Sequence, residues 1–244
     1  MARISSSEKL PMRIDGYVIY PLDDQMVLRK NSGFTTEAVL NSDQYARVRE
    51  NAAEFGHVSK LCKALRLSLG TVLPKQGNLS VCNGLTKIMR QVLVCDGVSK
   101  RGARTLAVAF ENTEAKAILK GYDFNPNSLF HSIFKGGFHY DATVLHFESL
   151  VFSEAVVFPQ GADFVGFRLH RLCFDFELVT HELVSTTWEL FARTSSSSGF
   201  TLALPKVPEL NGVRFVLLEL QFYGADGSSF LPCADGSKVV VVID

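Results

Sequence analysis

Phe164-Val165-Gly166-Phe167-Arg168-Leu169-His170-Arg171-Leu172-Cys173-Phe174-Asp175-Phe176 carries the two-residue alternation of a β-strand. Val165, Phe167 and Leu169 set one phase, and Leu172, Phe174 and Phe176 resume it one residue out of step. A one-residue slip turns side chains to the opposite face, so a bulge near His170-Arg171 is expected. Further β-prone runs begin near Phe138 and cover 143–147, 184–191, 200–204, 213–222 and 239–243. Their connections are turn-like: Pro159-Gln160-Gly161, Ser195 to Gly199, Gly224-Ala225-Asp226-Gly227 and Asp235-Gly236. About seven strands without a helical pattern between them indicate an antiparallel β-sandwich, Ig-like or jelly-roll-like. The run Phe215-Val216-Leu217-Leu218 is apolar on both faces, so one of them is expected to meet the N-terminal part or another copy of the protein, and Trp188 is expected to fill the core there.

Upstream the pattern changes. Gly16 to Tyr20 and Gln25 to Arg29 are β-prone, with Pro21-Leu22-Asp23-Asp24 as the turn of a hairpin that ends at Asn31-Ser32-Gly33. Asn41 reads as a helix N-cap with Gln44 closing a capping box. Tyr45, Val48, Ala52, Phe55, Val58, Leu61, Cys62 and Leu65 then predict one amphipathic helix over 42–68. Gly56 inside it costs about 1 kcal/mol relative to alanine, which points either to a close backbone crossing or to a kink. After Pro74 and Gly77, a second helix shows Leu85, Ile88, Met89, Val92 and Leu93 on one face and Gly97 as its stop, and the two helices are expected to pack antiparallel. A third helical stretch, 111–120, ends at Gly121. The class is therefore α+β: an N-terminal β-hairpin and antiparallel helices, then the sandwich.

The chain has 244 residues, 47% of them hydrophobic, enough for a substantial core. Its net charge of zero hides an asymmetry. Residues 1–107 hold 16 Lys+Arg against 9 Asp+Glu, and residues 108–244 hold 9 against 16. Of 19 phenylalanines only Phe34 and Phe55 fall in the first part. Both changes coincide, and two domains are expected: a basic hairpin-plus-helices module over 1–122 and an acidic, Phe-rich sandwich over 123–244. No run approaches the roughly 18 apolar residues of a membrane span. Met1 to Lys9 has no apolar core like that of a signal peptide, so cytoplasmic synthesis is expected. Cys62, Cys82, Cys95, Cys173 and Cys233 are dispersed and odd in number, the pattern of reduced thiols.

Motifs of known chemistry are sparse. The chain has no G-x-G-x-x-G, no G-x-x-x-x-G-K-[ST] and no G-x-S-x-G. His139 with Asp141 and His146 with Glu148 each share a strand face, and His170 or His181-Glu182 could add a ligand, yet sequence brings them together only in pairs. They read as polar positions on a half-buried sheet, and no metal or other cofactor is expected. Ser132 and Lys135 match an S-x-x-K spacing without the motifs that accompany it in penicillin-recognising enzymes. His57 and Cys62, five apart, are poorly placed as same-face partners. The basic segment Lys100-Arg101-Gly102-Ala103-Arg104, with Lys60, Lys63, Arg66 and Lys87 elsewhere in the module, could contact phosphates, but reads rather as a solvated helix face or a surface that meets the acidic second part.

Arg47-x-Arg49-Glu50-Asn51-Ala52-Ala53-Glu54-Phe55-Gly56, the hairpin ending at Gly33, Lys100-Arg101-Gly102-x-Arg104 and Leu119-Lys120-Gly121-Tyr122-Asp123-Phe124-Asn125 together resemble a family of uncharacterised small proteins from Bacteroidota bacteria. The resemblance covers about residues 14–125. That family has no established activity, so the resemblance transfers no catalytic residue; it implies that the Arg-Glu-Asn segment is a fixed part of the architecture. Arg47 can reach Glu50 or Asn51 one turn on, and Glu54 lies one turn beyond Glu50, so the cluster is expected to bond to loop backbone.

These readings point to a non-enzymatic structural or interaction protein that works by self-association or by binding another protein, with Arg47, Arg49, Lys100, Arg101 and Arg104 as its candidate contact residues. Two alternatives stand beside it. One is association with nucleic acid through the basic module. The other is a carbohydrate- or peptide-binding sandwich, which requires Phe and Tyr exposed on one sheet face.

Overall fold

The computed structural model describes residues 2–4, 13–22, 25–30, 35–73, 78–125, 129–141, 143–206, 209–226, 229–233, 238–242 and 244. The expected turn residues Asp23-Asp24, Asn31-Ser32-Gly33, Gly227 and Asp235-Gly236, the breakers Pro74 and Gly77, and Ile243 lie outside them. The chain forms two compact units, 1–52 and 53–244.

In the first unit, β1 (Ala2–Ile4), β2 (Arg13–Ile14), β3 (Tyr17–Leu22) and β4 (Gln25–Lys30) form an antiparallel sheet in the order β1-β4-β3-β2. The expected hairpin is its centre, with Ile19 and Val27 buried. Gly16 does not open a strand. Asp15 and Gly16 both have positive φ, 42° and 79°, and close β2 onto β3, the backbone that an Asp-Gly pair supplies in a two-residue hairpin. A six-residue helix, α1 (Thr36–Asn41), follows. Its N-cap is Thr35, whose hydroxyl accepts from the Ala38 N–H; Asn41, expected to start a helix, ends this one. The main helix, α2 (Ala46–Leu69), begins after a 3-10 turn at Asp43–Tyr45, and its residues from Ala53 on belong to the second unit.

In that unit α2 is followed by α3 (Asn78–Leu93), α4 (Leu106–Ala109) and α5 (Thr113–Leu119). The stripe that α2 buries is Val58, Leu61, Cys62, Leu65, Ser68 and Leu69. Val48, Ala52 and Phe55, expected on that stripe, are exposed. Gly56 is neither crossed nor a break: α2 is continuous through it, and a Cβ there would meet nothing within 4 Å. On α3 the expected face is covered, with Leu85, Met89, Val92 and Leu93 buried and Ile88 half-buried. The helix stops at Leu93, before Gly97. Gly121, with φ +80°, does terminate the helical stretch ending in α5.

The remaining elements are α6 (Phe130–Ile133), β5 (Phe138–Tyr140), β6 (Val144–Phe147), β7 (Leu150–Val151), α7 (Phe152–Ala155), β8 (Phe164–Asp175), β9 (Thr180–Ser185), β10 (Glu189–Ala192), β11 (Ser196–Ser197), β12 (Phe200–Ala203), β13 (Val213–Asp226), β14 (Ser229–Pro232) and β15 (Lys238–Val242). The long strands β8 and β13 pair antiparallel at the centre of a sheet, with β9 and β10 on the free side of β8 and β14 and β15 on that of β13. Gly224 and Ala225, expected in a turn, extend β13 against Leu231 and Phe230 of β14. A second sheet, β12-β6-β5, and the short pair β11-β7 complete the β structure.

Two hydrophobic cores lie on the opposite faces of the large sheet. Leu172, Phe174, Phe215, Leu217, Val240 and Val242 pack with the helices. Val165, Phe167, Leu169, Val216, Leu218, Leu220 and Phe222 pack with Leu145, Phe147, Phe152 and Leu202 of the smaller elements. This is the mixed α+β fold with a sandwich of antiparallel sheets, the sandwich carrying helices on its other face. It also removes the need for a bulge at His170-Arg171. The β8–β13 register is unbroken from Phe164↔Tyr223 to Phe174↔Val213. The first half of β8 directs its apolar side chains to one core and the second half to the other. The irregularity lies on the edge strand. From His170↔Ser185 to Phe167↔Glu189, β8 advances three residues and its partner four, so the expected continuous strand 184–191 divides into β9 and β10. Thr186 bridges the gap, its N–H donating to the Leu169 carbonyl and its hydroxyl accepting from the Leu169 N–H.

Candidate functional site

Three polar arrangements in the second unit compete for a functional role: a buried row on the large sheet, a basic loop held by α2, and a groove lined by α2 and α3.

On the sheet, Arg168, His170 and Glu219 share the face that carries Leu172 and Phe174, beyond the edge of the helix-covered core. Glu219 and His170 are fully buried. Oε2 of Glu219 accepts from Arg168 Nε (2.9 Å) and Nη2 (2.6 Å) and from His170 Nε2 (2.8 Å). A carboxylate only accepts, so Nε2 of His170 carries the proton. Nδ1 meets the Ser185 hydroxyl at 2.7 Å. Trp188, half-buried and outside both cores, lies over the Arg168 guanidinium at 4.3 Å from the ring centroid. Both imidazole nitrogens are engaged and Arg168 neutralises Glu219. The row ties β8, β9 and β13 together across the sheet.

The loop after α3 is built on Asp96. Its Oδ1 accepts from Val98 N–H and Ser99 N–H, and its Oδ2 from Thr105 N–H. Burial pushes its carboxyl pKa up, but these donors outweigh burial and hold it below the usual carboxylate value. From α2, Glu54 accepts the Gly102 N–H at 2.7 Å and His57 Nε2 accepts the Leu106 N–H at 3.2 Å. Burial, then the Lys60 charge, lowers the His57 pKa, which suits a neutral acceptor. Glu54 thus bonds to loop backbone as the Arg-Glu-Asn reading expects, and Lys100 and Arg101 are displayed to solvent on the clamped loop. Arg104 is half-buried, and its Nε meets no acceptor among the described residues.

The other two candidate contact residues belong to the first unit. Arg47 pairs with Glu50 at 2.9 Å on an open surface. Arg49 donates from Nη1 to the carbonyls of Val39 (2.6 Å) and Ser42 (2.9 Å), satisfying the end of α1.

The groove has a volume of about 700 Å³ and is lined by Phe55, Ser59, Lys63 and Arg66 of α2, by Cys82, Asn83, Thr86, Lys87, Arg90 and Gln91 of α3, and by Val94. Helical geometry assembles it. Phe55, Ser59, Lys63 and Arg66 stand at intervals of four, four and three residues, and Asn83, Lys87, Arg90 and Val94 at four, three and four. Each series makes one wall. Four cations line the groove with no carboxylate among its lining residues, and none of the four forms an ion pair among the described residues. Arg66 Nε is shielded from solvent and meets no acceptor among the described residues. Phe55 is 50% exposed, with Arg90 Cζ 6.0 Å from its ring centroid. Lys63, Arg66 and Lys87 belong to the basic set recognised in sequence. Arg90 was missed, although it stands one turn after Lys87 on the polar side of a helix whose apolar face was clear.

Weaker candidates find local explanations. Ser132 donates to the Leu129 carbonyl and Lys135 Nζ to the His131 carbonyl, so the S-x-x-K pair faces backbone. His139 and His146 stack across β5 and β6 at 4.6 Å, and His146 Nε2 lies 3.0 Å from Asp141 Oδ2. Glu182 Oε2 accepts from the Glu209 and Leu210 N–H groups. Among the described residues no group of three or more His, Cys, Asp and Glu side chains is placed to hold a metal ion. Cys62 is an inert thiol, its pKa pushed up to about 12, chiefly by burial. No described helix is long and apolar enough to cross a membrane. Comparison with protein-family models, with curated proteins and with solved structures finds no match.

Proposed function

We propose that the protein is a non-enzymatic interaction protein whose α2–α3 groove receives an anionic partner. One observation carries this reading: four cations converge on a single groove with no carboxylate among its lining residues. Like charges gathered on one surface repel one another, and an anionic occupant relieves that repulsion. Arg66 Nε, buried without an acceptor among the described residues, adds a donor that an incoming oxygen would satisfy. The test is elution from an immobilised phosphate polymer at rising salt. Wild type is expected to be retained at low salt, and the double variant Lys63→Glu/Lys87→Glu to emerge well before it. Identical elution of the two would remove the groove as the site.

The charge asymmetry of the chain favours a second reading, in which the anionic partner is another copy. Residues 108–244 carry 16 acidic against 9 basic side chains, enough to attract a basic groove. A head-to-tail contact of that kind propagates into rings or filaments. Light scattering would then show assemblies at low salt that shrink as salt rises; a constant monomer mass removes this version.

A further inference from the structure

Resting on the anionic-groove reading, we infer that the occupant is a single-stranded nucleic acid, bound through its phosphates by the four cations and through a base stacked on Phe55.

The placement of Phe55 is the first ground. Among the described residues of the second unit it is the only aromatic side chain exposed as a large apolar surface, and it stands in the groove wall. A half-exposed phenyl ring forgoes part of the free energy of burial, so the position runs against the preference that buries or half-buries the other described phenyl rings of the second unit. On a helix face otherwise lined by Ser59, Lys63 and Arg66, the contact given for the ring is the Arg90 guanidinium over it, which leaves half of the side chain open. The ring does have a binding use, because a base presents a flat π-face to it whatever its sequence. Arg90 lies over that ring, 6.0 Å from its centroid, so a base would stack on the ring's open side while the guanidinium meets the adjoining phosphate.

Shape supplies the second ground. Proteins that read duplexes insert a convex element into a nucleic-acid groove. Here the basic surface is concave, with a volume of about 700 Å³, so the partner must be thin enough to enter it. A duplex keeps its bases stacked and paired, leaving no face for Phe55. A strand with unpaired bases meets both requirements. Asn83 and Gln91 on the α3 wall provide amide donors and acceptors for base edges or sugar hydroxyls, and a base-free polyanion would leave them and the ring unused.

The experiment is fluorescence anisotropy of a labelled oligothymidylate of about 12 nucleotides, with the full chain, at about 50 mM salt and above. Binding is expected, with log K falling against log salt at a slope of about −2 to −3 for three or four phosphates neutralised. Lys87→Gln should flatten that slope by about 0.7. Phe55→Ala should weaken binding roughly 5- to 150-fold while leaving the slope unchanged, because a stack carries no counterion. The ring is exposed and alanine favours helix, so this variant keeps its fold. Binding of the matching duplex as tightly as the single strand, or indifference of the oligomer to Phe55→Ala, overturns the inference. If inorganic polyphosphate competes as well as the oligomer and Phe55→Ala changes neither, the groove takes anions but not bases, and only the earlier reading stands. If neither oligomer nor polyphosphate binds, both fail. Growth of particle mass without nucleic acid, abolished by Lys63→Glu, would assign the groove to a second copy.

Discussion

Arg168→Met tests the idea that the buried polar row is a tie for the sheet. Glu219 is fully buried and Arg168 only 23% exposed, so the pair sits largely out of water. The guanidinium gives Oε2 two of its hydrogen bonds, at 2.9 and 2.6 Å. Methionine retains most of the stem volume, which confines the perturbation to the charge and its bonds. Leaving one member of a buried pair uncompensated costs about 3–5 kcal/mol, and the partial exposure of Arg168 places the expected loss near 3. The cation over the Trp188 ring adds about 0.5–1 kcal/mol. The expectation is therefore about 3–4 kcal/mol, a large share of the 5–15 kcal/mol typical of a folded protein.

The assay is built into the chain, since Trp188 is its one tryptophan and lies 4.3 Å from Arg168. Urea unfolding followed by its emission reports the second unit directly. At an m-value of about 2 kcal/mol/M, the midpoint should fall by about 1.5–2 M. Glu219→Gln keeps a carbonyl where His170 Nε2 needs an acceptor while removing the charge. The double variant Arg168→Met/Glu219→Gln should therefore lose about 1–3 kcal/mol less than the two single losses combined. A midpoint shift under about 0.5 M for Arg168→Met would refute the reasoning, as would additivity within about 0.5 kcal/mol.

Other expectations are simpler to state. Thr35→Ala should cost the first unit about 0.5–2 kcal/mol and Asn41→Ala almost nothing, read by helix content on heating, because Thr35 and not Asn41 caps α1. Gly212→Ala should cost about 1–3 kcal/mol, since a Cβ would stand 2.7 Å from the Phe174 carbonyl oxygen and 3.0 Å from the Asp175 nitrogen, backbone that cannot swing aside. Asp96→Ala should loosen the loop carrying Lys100 and Arg101 and speed hydrogen exchange at Val98, Ser99 and Thr105, whose three N–H groups lose their acceptor. Burial raises the Asp123 carboxyl pKa from 3.8 to about 6. Between those values the folded chain holds a proton that the unfolded chain has released, so the advantage of wild type over Asp123→Ala should grow by about 1–3 kcal/mol as pH falls from 7 to 4, and a pH-independent difference would refute it.

Periodicity made the helices and most strands legible because each buries one phase of its side chains. The reading failed where one element serves two surroundings. β8 changes phase at His170 because its halves feed cores on opposite faces, and alternation alone cannot separate that from a bulge. α2 changes character along its length. Phe55 and Val58 lie one turn apart, yet the first is exposed and the second buried, and no propensity separates them. The Asp15-Gly16 turn had a clear local signal that the strong β pattern of the following residues obscured. Asn41 illustrates the opposite error. Asparagine suits a cap, but the neighbouring Thr35 took that role six residues earlier.

Burial of the aromatic side chains limits where an open ring is found among the described residues. Phe147, Phe152, Phe167, Phe191 and Phe200 interlock at centroid distances of 4.3 to 6.5 Å inside the sandwich. Among the described residues no sheet face of the second unit exposes a Phe or Tyr platform, so the observation that would favour a carbohydrate- or peptide-binding sandwich is missing. The Phe-rich half of the sequence spends most of its described aromatic rings on the two cores and the contacts around them. On the reading proposed above, recognition falls to the helices, where cations and one exposed ring share a surface. In chemical terms that surface is incomplete, since its positive charge, its buried Arg66 donor and its exposed Phe55 ring each call for a partner group. A nucleotide strand supplies all three at once: charge, acceptor oxygen and aromatic face.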